Sequence, residues 1–89
     1  MNSRTTERFR KAFGQLPHRV QRQARAAYKL FLQNPHHPSL QFKQVHPVRP
    51  IYYVRISLDY RAVGIRDGDE IVWYWIGTHS DYDRLISRL

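Results

Sequence analysis

The chain has 89 residues, enough for one domain (residues 1–89) with a modest core and too few for two. Fifteen Lys and Arg, mostly Arg, stand against seven Asp and Glu, and the formal net charge of +8 points to a polyanionic partner: RNA, DNA or an acidic protein segment. The lack of cysteine excludes a disulfide framework and a thiolate metal site, while no apolar run approaches the roughly 20 residues of a membrane span and the first residues are polar, so a cytoplasmic protein without a membrane partner is expected.

In chain order, Ser3 is placed to cap a first helix. Phe9, Ala12, Phe13 and Leu16 form its apolar stripe, with Arg4, Arg8 and Lys11 on the other side and Gly14 near its end. Pro17 suits the first turn of a second helix, where a missing N–H costs nothing. There Val20, Ala24, Ala27 and Phe31 recur at helical spacing, Tyr28 widens the stripe, and Arg19, Arg22, Arg25 and Lys29 line another side. Asn34-Pro35 stops this helix, which leaves a helical hairpin. Adjacent His36 and His37 lie in a loop without acidic or cysteine partners, so they read as solvated side chains and not as metal ligands.

Leu40, Phe42 and Val45 suggest a short first strand that includes Lys43. His46-Pro47-Val48-Arg49-Pro50 is a turn unfit for a sheet interior. Ile51 to Ser57 reads as the next strand, with Tyr52, Val54 and Ile56 facing one way and Tyr53 and Arg55 the other. A tight connection at Leu58-Asp59 leads to a third strand, Arg61 to Arg66. Asp67-Gly68-Asp69 signals a hairpin, because glycine tolerates the positive φ of such turns. Glu70-Ile71-Val72-Trp73-Tyr74-Trp75-Ile76-Gly77 is the strongest strand of the chain, β-branched and aromatic throughout, and belongs in the sheet interior. Ser80 to Leu89 closes the chain as a short helix, capped by Ser80 or Thr78. The order α-α-β-β-β-β-α predicts an α+β fold: a helical hairpin on one face of a mostly antiparallel four-stranded sheet, with a short C-terminal helix.

The register between the second and third strands has two solutions. A two-residue turn at Leu58-Asp59 puts Arg61 on the face of Tyr52, Val54 and Ile56, opposite Arg55. A three-residue turn or bulge brings both arginines to one face but sends Val63 and Ile65 there too. Apolar patterning favours the first; a shared phosphate site favours the second.

Chemistry gathers where the terminal strand ends. His79 can exchange a proton near neutral pH, and Tyr82 lies three residues on, on the same side if the helix has begun. Arginines interleave with aromatics through Tyr52-Tyr53-Val54-Arg55, Tyr60-Arg61 and Trp73-Tyr74-Trp75, a mixture that suits single-stranded RNA, with Tyr53 a candidate contact. No glycine-rich phosphate loop, His-Glu-x-x-His helix or nucleophile elbow is present. Hydrolysis of RNA here would need no metal or other cofactor and would run through the ribose 2′-OH, with a base, an acid and cations on the phosphate. Arg55, Arg61, His79, Tyr82 and Lys43 contain those parts.

The element order, the Asn34-Pro35 loop, Val54-Arg55-Ile56, Asp59-Tyr60-Arg61 and above all Trp75-Ile76-Gly77-Thr78-His79-Ser80-Asp81-Tyr82-Asp83-Arg84-Leu85 resemble the RelE/ParE superfamily of bacterial toxins over nearly the whole chain. The resemblance implies a microbial-ribonuclease-like fold and a cognate antitoxin protein as partner. RelE-type members cut messenger RNA on the ribosome without metal, leaving a cyclic phosphate, whereas ParE-type members poison DNA gyrase. It further implies a catalytic set of Arg55 and Arg61, which bind and polarise the scissile phosphate, with His79 and Tyr82, and it places Lys43 and His46, as RNA-binding residues, in a region of additional catalytic cations or histidines. The family's basic pair in the second strand is reduced here to Tyr53 and Arg55. That departure keeps open a gyrase poison, or a protein that only binds its antitoxin or RNA.

Overall fold

The computed structural model describes residues 1–89. In chain order its elements are strand β1 (Asn2–Thr5), helices α1 (Glu7–Gly14) and α2 (His18–Gln33), a 3-10 turn (Pro38–Leu40), strands β2 (Lys43–Gln44), β3 (Ile51–Arg55), β4 (Tyr60–Asp67) and β5 (Glu70–Thr78), and helix α3 (His79–Ser87). The five strands form one sheet in the order β1-β5-β4-β3-β2, with all neighbours antiparallel except the parallel pair β1–β5.

The α+β expectation holds, with a fifth strand. Ser3 does not cap α1: it lies in β1 opposite Ile71, and Thr6 is the cap, its Oγ1 accepting from the Phe9 N–H at 3.1 Å. Ser3 Oγ instead accepts from Trp73 Nε1 at 3.0 Å and from the Tyr28 hydroxyl at 2.9 Å, tying the new edge strand to the sheet and to α2. The strand expected around Leu40–Val45 shrinks to Lys43–Gln44, because Leu40 ends the 3-10 turn and drops into the core at 1% exposure. The hairpin at Asp67-Gly68-Asp69 forms as expected, with Gly68 at φ +59°.

Both faces of the sheet are covered. On one side, Phe31 of α2 meets Phe42 and Trp73 edge to face, with ring centroids 5.0 and 5.4 Å apart, in a core that also contains Ala24, Leu40, Val54, Ala62, Ile71 and Ile76. On the other, Ile51, Tyr53 and Val63 are buried under Trp75 and, from α3, Tyr82 and Leu85. A β-bulge divides β5 between these faces: Val63 pairs with Trp75 and Gly64 with Trp73, which leaves Tyr74 as the extra residue. Ile71, Trp73 and Ile76 can therefore all serve the helical core despite their uneven spacing. Gly64 is needed here, since a Cβ would lie 2.9 Å from the Val72 carbonyl oxygen and 2.9 Å from the Trp73 ring.

Candidate functional site

The register between β3 and β4 decides which side chains meet. Arg55 pairs with Arg61, Val54 with Ala62 and Tyr53 with Val63, and the Ile56 N–H bonds the Tyr60 carbonyl at 3.1 Å across the loop Ser57-Leu58-Asp59. This is the three-residue solution. It places both arginines on the face away from the hairpin of helices, together with Lys43, which pairs with Tyr53. Val63 comes with them, as this register requires, and is fully buried there because Tyr53, Trp75 and Tyr82 cover it; Ile65 is left 48% exposed.

Arg61 is the hub of this face. It is 7% exposed, and its Nη1 donates to the carbonyls of Ser57 at 2.6 Å, Tyr60 at 3.0 Å and Leu58 at 3.3 Å, holding the loop in shape. Its Nη2 stands 3.5 Å from His79 Nδ1. The same loop fixes the start of α3, because the His79 N–H donates to the Asp59 carbonyl at 2.7 Å and Thr78 caps the helix by accepting from the Asp81 N–H at 3.1 Å. β5 and the loop thus deliver His79 jointly, and Arg61 reaches it from beneath.

Since α3 begins at His79, Tyr82 falls on the same side, with ring centroids 6.4 Å apart. Tyr82 also packs on Tyr53 at 5.3 Å and Trp75 at 6.5 Å. Burial, and then the negative charge that Tyr53 and Asp83 would present, push its hydroxyl pKa above the ordinary 10.0 against the opposing pull of Arg61. It is a neutral phenol at physiological pH, a proton donor and not a base. Lys43 Nζ lies 5.3 Å from the centroid of the Tyr53 ring and forms no ion pair.

The remaining candidates are placed differently. Tyr53 is 5% exposed, and its hydroxyl donates to Gln41 Oε1 at 2.7 Å, so no base can stack on it; it is a floor for Lys43 and Tyr82. Gln41 takes that position from a left-handed backbone, φ +50°. Arg55 starts from the same face as Arg61, but no hydrogen bond or ion pair joins its side chain to Arg61, His79 or any other group; half-buried at the sheet's end, it borders a cavity of about 460 Å³ on the helical side, lined by Ala27 and Leu30 of α2 with Leu40 and Ile56. His46 uses Nδ1 to accept from the Val48 and Arg49 N–H groups at 3.1 and 2.8 Å, and no ring contact or hydrogen bond joins it to the other candidates. A residue unforeseen as part of the cluster, Asp83, completes it: Oδ1 lies 3.5 Å from His79 Nε2. The signal was the i, i+4 spacing of His79 and Asp83, hidden as long as the helix was taken to start at Ser80. No group of three or more His, Asp or Glu side chains converges as a metal site would require. The arrangement can therefore offer phosphate-binding charge, one imidazole and one phenol on an open surface.

The sequence profile of the ParE-like toxin domain matches residues 18–84. No curated protein sequence matches the chain. Among solved structures, the RelB–RelE antitoxin–toxin complex from Methanococcus jannaschii aligns with a TM-score of 0.71 at 17% identity, covering 90% of this chain and 95% of that one. YafQ from E. coli strain BL21(DE3) aligns with a TM-score of 0.70 at 12% identity, covering 91% and 96% respectively. The isolated E. coli RelE toxin aligns with a TM-score of 0.62 at 18% identity, covering 98% and 96%. At these identities the likeness establishes the fold.

Proposed function

The chain belongs to the ParE-like toxin family, within the RelE/ParE superfamily, and from that premise we propose that it is a metal-independent, ribosome-dependent endoribonuclease acting on messenger RNA. The convergence of Arg61, His79 and Tyr82 on one face of the sheet carries this reading. In the proposed reaction the ribose 2′-oxygen attacks the adjacent phosphorus and loses its proton, the bond to the 5′-oxygen breaks, that oxygen takes up a proton, and a cyclic phosphate remains. Arg55, whose guanidinium has no protein partner, and Lys43 bind the scissile phosphate. Arg61 shapes the loop under it and adds positive potential. His79 exchanges the proton, and Tyr82, held neutral, donates a hydrogen bond to a phosphate oxygen. Lys43 and His46 Nε2 also serve as contacts to flanking RNA, while Tyr53 supports Lys43 from below.

Mapping messenger RNA ends in a bacterium expressing the wild type or His79→Ala tests the proposal. New ends with the wild type and a loss of about 10²–10⁴ in cleavage with the variant are expected. Intact transcripts at verified soluble levels of wild type would refute it.

One observation favours a second reading. The matched family is ParE-like, and Tyr53 stands where the resemblance to RelE-type members implies one of two basic residues. A gyrase-directed toxin would inhibit supercoiling and induce a DNA-damage response without new transcript ends.

Under either reading the partner is a cognate antitoxin with an acidic, apolar segment. A second cavity of the same volume, about 460 Å³ between helices and sheet, offers Phe9, Phe13, Tyr28 and Leu32 as apolar wall beside Arg10 and Arg25. Purified protein with no affinity for the product of the adjacent gene would remove this partner.

A further inference from the structure

The environment of His79 restricts its proton to one nitrogen. A guanidinium has only N–H donors, so Arg61 Nη2, at 3.5 Å, favours the ring form with a lone pair on Nδ1. The proton of the neutral ring then sits on Nε2, and Nε2 faces the Asp83 carboxylate at 3.5 Å, which has only acceptors. The two contacts favour the same tautomer from opposite sides of the ring, and because each is long, at 3.5 Å, both are needed to hold a single form. The groups behind them are held independently: Arg61 is locked by three loop carbonyls, and Asp83 sits one turn along α3 from His79, on the helix that Thr78 caps. Asp81, the carboxylate of the first turn, does not compete, because it is engaged by Arg84 at 3.3 Å.

We infer that Asp83 is a positioning residue for His79, fixing the imidazole as the Nε2–H tautomer between its own carboxylate and the Arg61 guanidinium. Its role in catalysis rests on the ribonuclease reading; its effect on the ring does not. Because Asp83 and His79 are both well exposed, at 66% and 52% of their side chains, an incoming phosphate oxygen can take the place of the carboxylate on Nε2–H. Asp83 therefore acts in two opposing ways. It orients the donor before the substrate arrives, and it repels the anion that replaces it.

Two variants separate these effects. Asp83→Asn keeps an acceptor oxygen but loses the charge; Asp83→Ala loses both. The first measurement is the ¹⁵N spectrum of the His79 ring in intact protein, at a pH where the ring is neutral. Wild type and Asp83→Asn are expected to show a single form with the proton on Nε2, and Asp83→Ala a mixture of both tautomers. A proton on Nδ1 in the wild type, or an Asp83→Ala spectrum identical to wild type, would overturn the inference whether or not the protein cuts RNA. The second measurement is cleavage. Asp83→Ala is expected to lower kcat about tenfold, less than loss of a whole acid–base group, while KM falls as a repelling charge leaves the phosphate's path; Asp83→Asn keeps most of kcat and shares the lower KM. Equal kcat and KM in all three proteins would also overturn it. Absence of cleavage by wild type would remove the ribonuclease reading and leave the spectra to decide.

Discussion

The two faces of the sheet are built from the same strands and do different work. Toward the helices, Phe31, Phe42 and Trp73 interlock with Val54, Ala62 and Ile76, and no charged side chain is buried. Toward α3, a smaller cluster of Ile51, Tyr53 and Val63 supports the buried Arg61 and, above it, His79 and Tyr82. Alternation along β3 divides the residues between the faces, and the bulge at Tyr74 lets β5 supply tryptophans to both. Stability is concentrated on one face, so the other can hold a charged group in a partly buried place.

That division can be broken from either side, and the largest effect is expected from the helical core. Phe31→Ala removes a ring exposed by only 2% and should cost about 3–5 kcal/mol in urea unfolding, with cleavage per folded molecule unchanged. Arg61→Met strands the carbonyls of Ser57, Leu58 and Tyr60 and should cost about 2–3 kcal/mol by the same measurement, but here cleavage per folded molecule should fall as well. Gly64→Ala pushes a methyl into the Val72 carbonyl at the bulge and should cost about 1–3 kcal/mol.

The smallest effect is a pH dependence confined to the α3 face. Burial raises the pKa of Tyr74 above 10.0, and burial with neighbouring negative charge does the same for Tyr82. The unfolded chain ionises first, so the stability from the neutral phenols is fully present below pH 10.0 and is lost as pH climbs through the raised folded values. Urea midpoints should therefore drop in alkaline solution above that point. Tyr82→Phe should blunt the drop, whereas Tyr28→Phe on the helical side should not.

The same contrast explains what the sequence could disclose. The helical face was legible because Val20, Ala24, Ala27 and Phe31 repeat with the period of a helix, and Asp67-Gly68-Asp69 announces its own hairpin. β1 was not: Asn2–Thr5 is polar, and it becomes a strand only by pairing with β5, far away in the chain. The candidate site was half legible. His79 and Tyr82 stand out at the exit of a strong strand, yet the Arg55–Arg61 register depends on a loop of three residues and on α3 covering Val63, a tertiary fact that apolar patterning argued against. The burial of Tyr53 and the reach of Asp83 to His79 depend on the same packing.

The most direct test of the account compares single-turnover cleavage of ribosome-bound messenger RNA by wild type, His79→Ala and Lys29→Ala, a change on the helical side, at matched folded concentration. A fall of about 10²–10⁴ for His79→Ala with no more than a few-fold change for Lys29→Ala is the predicted result. Cleavage by His79→Ala at the wild-type rate would contradict the assignment of chemistry to the α3 face.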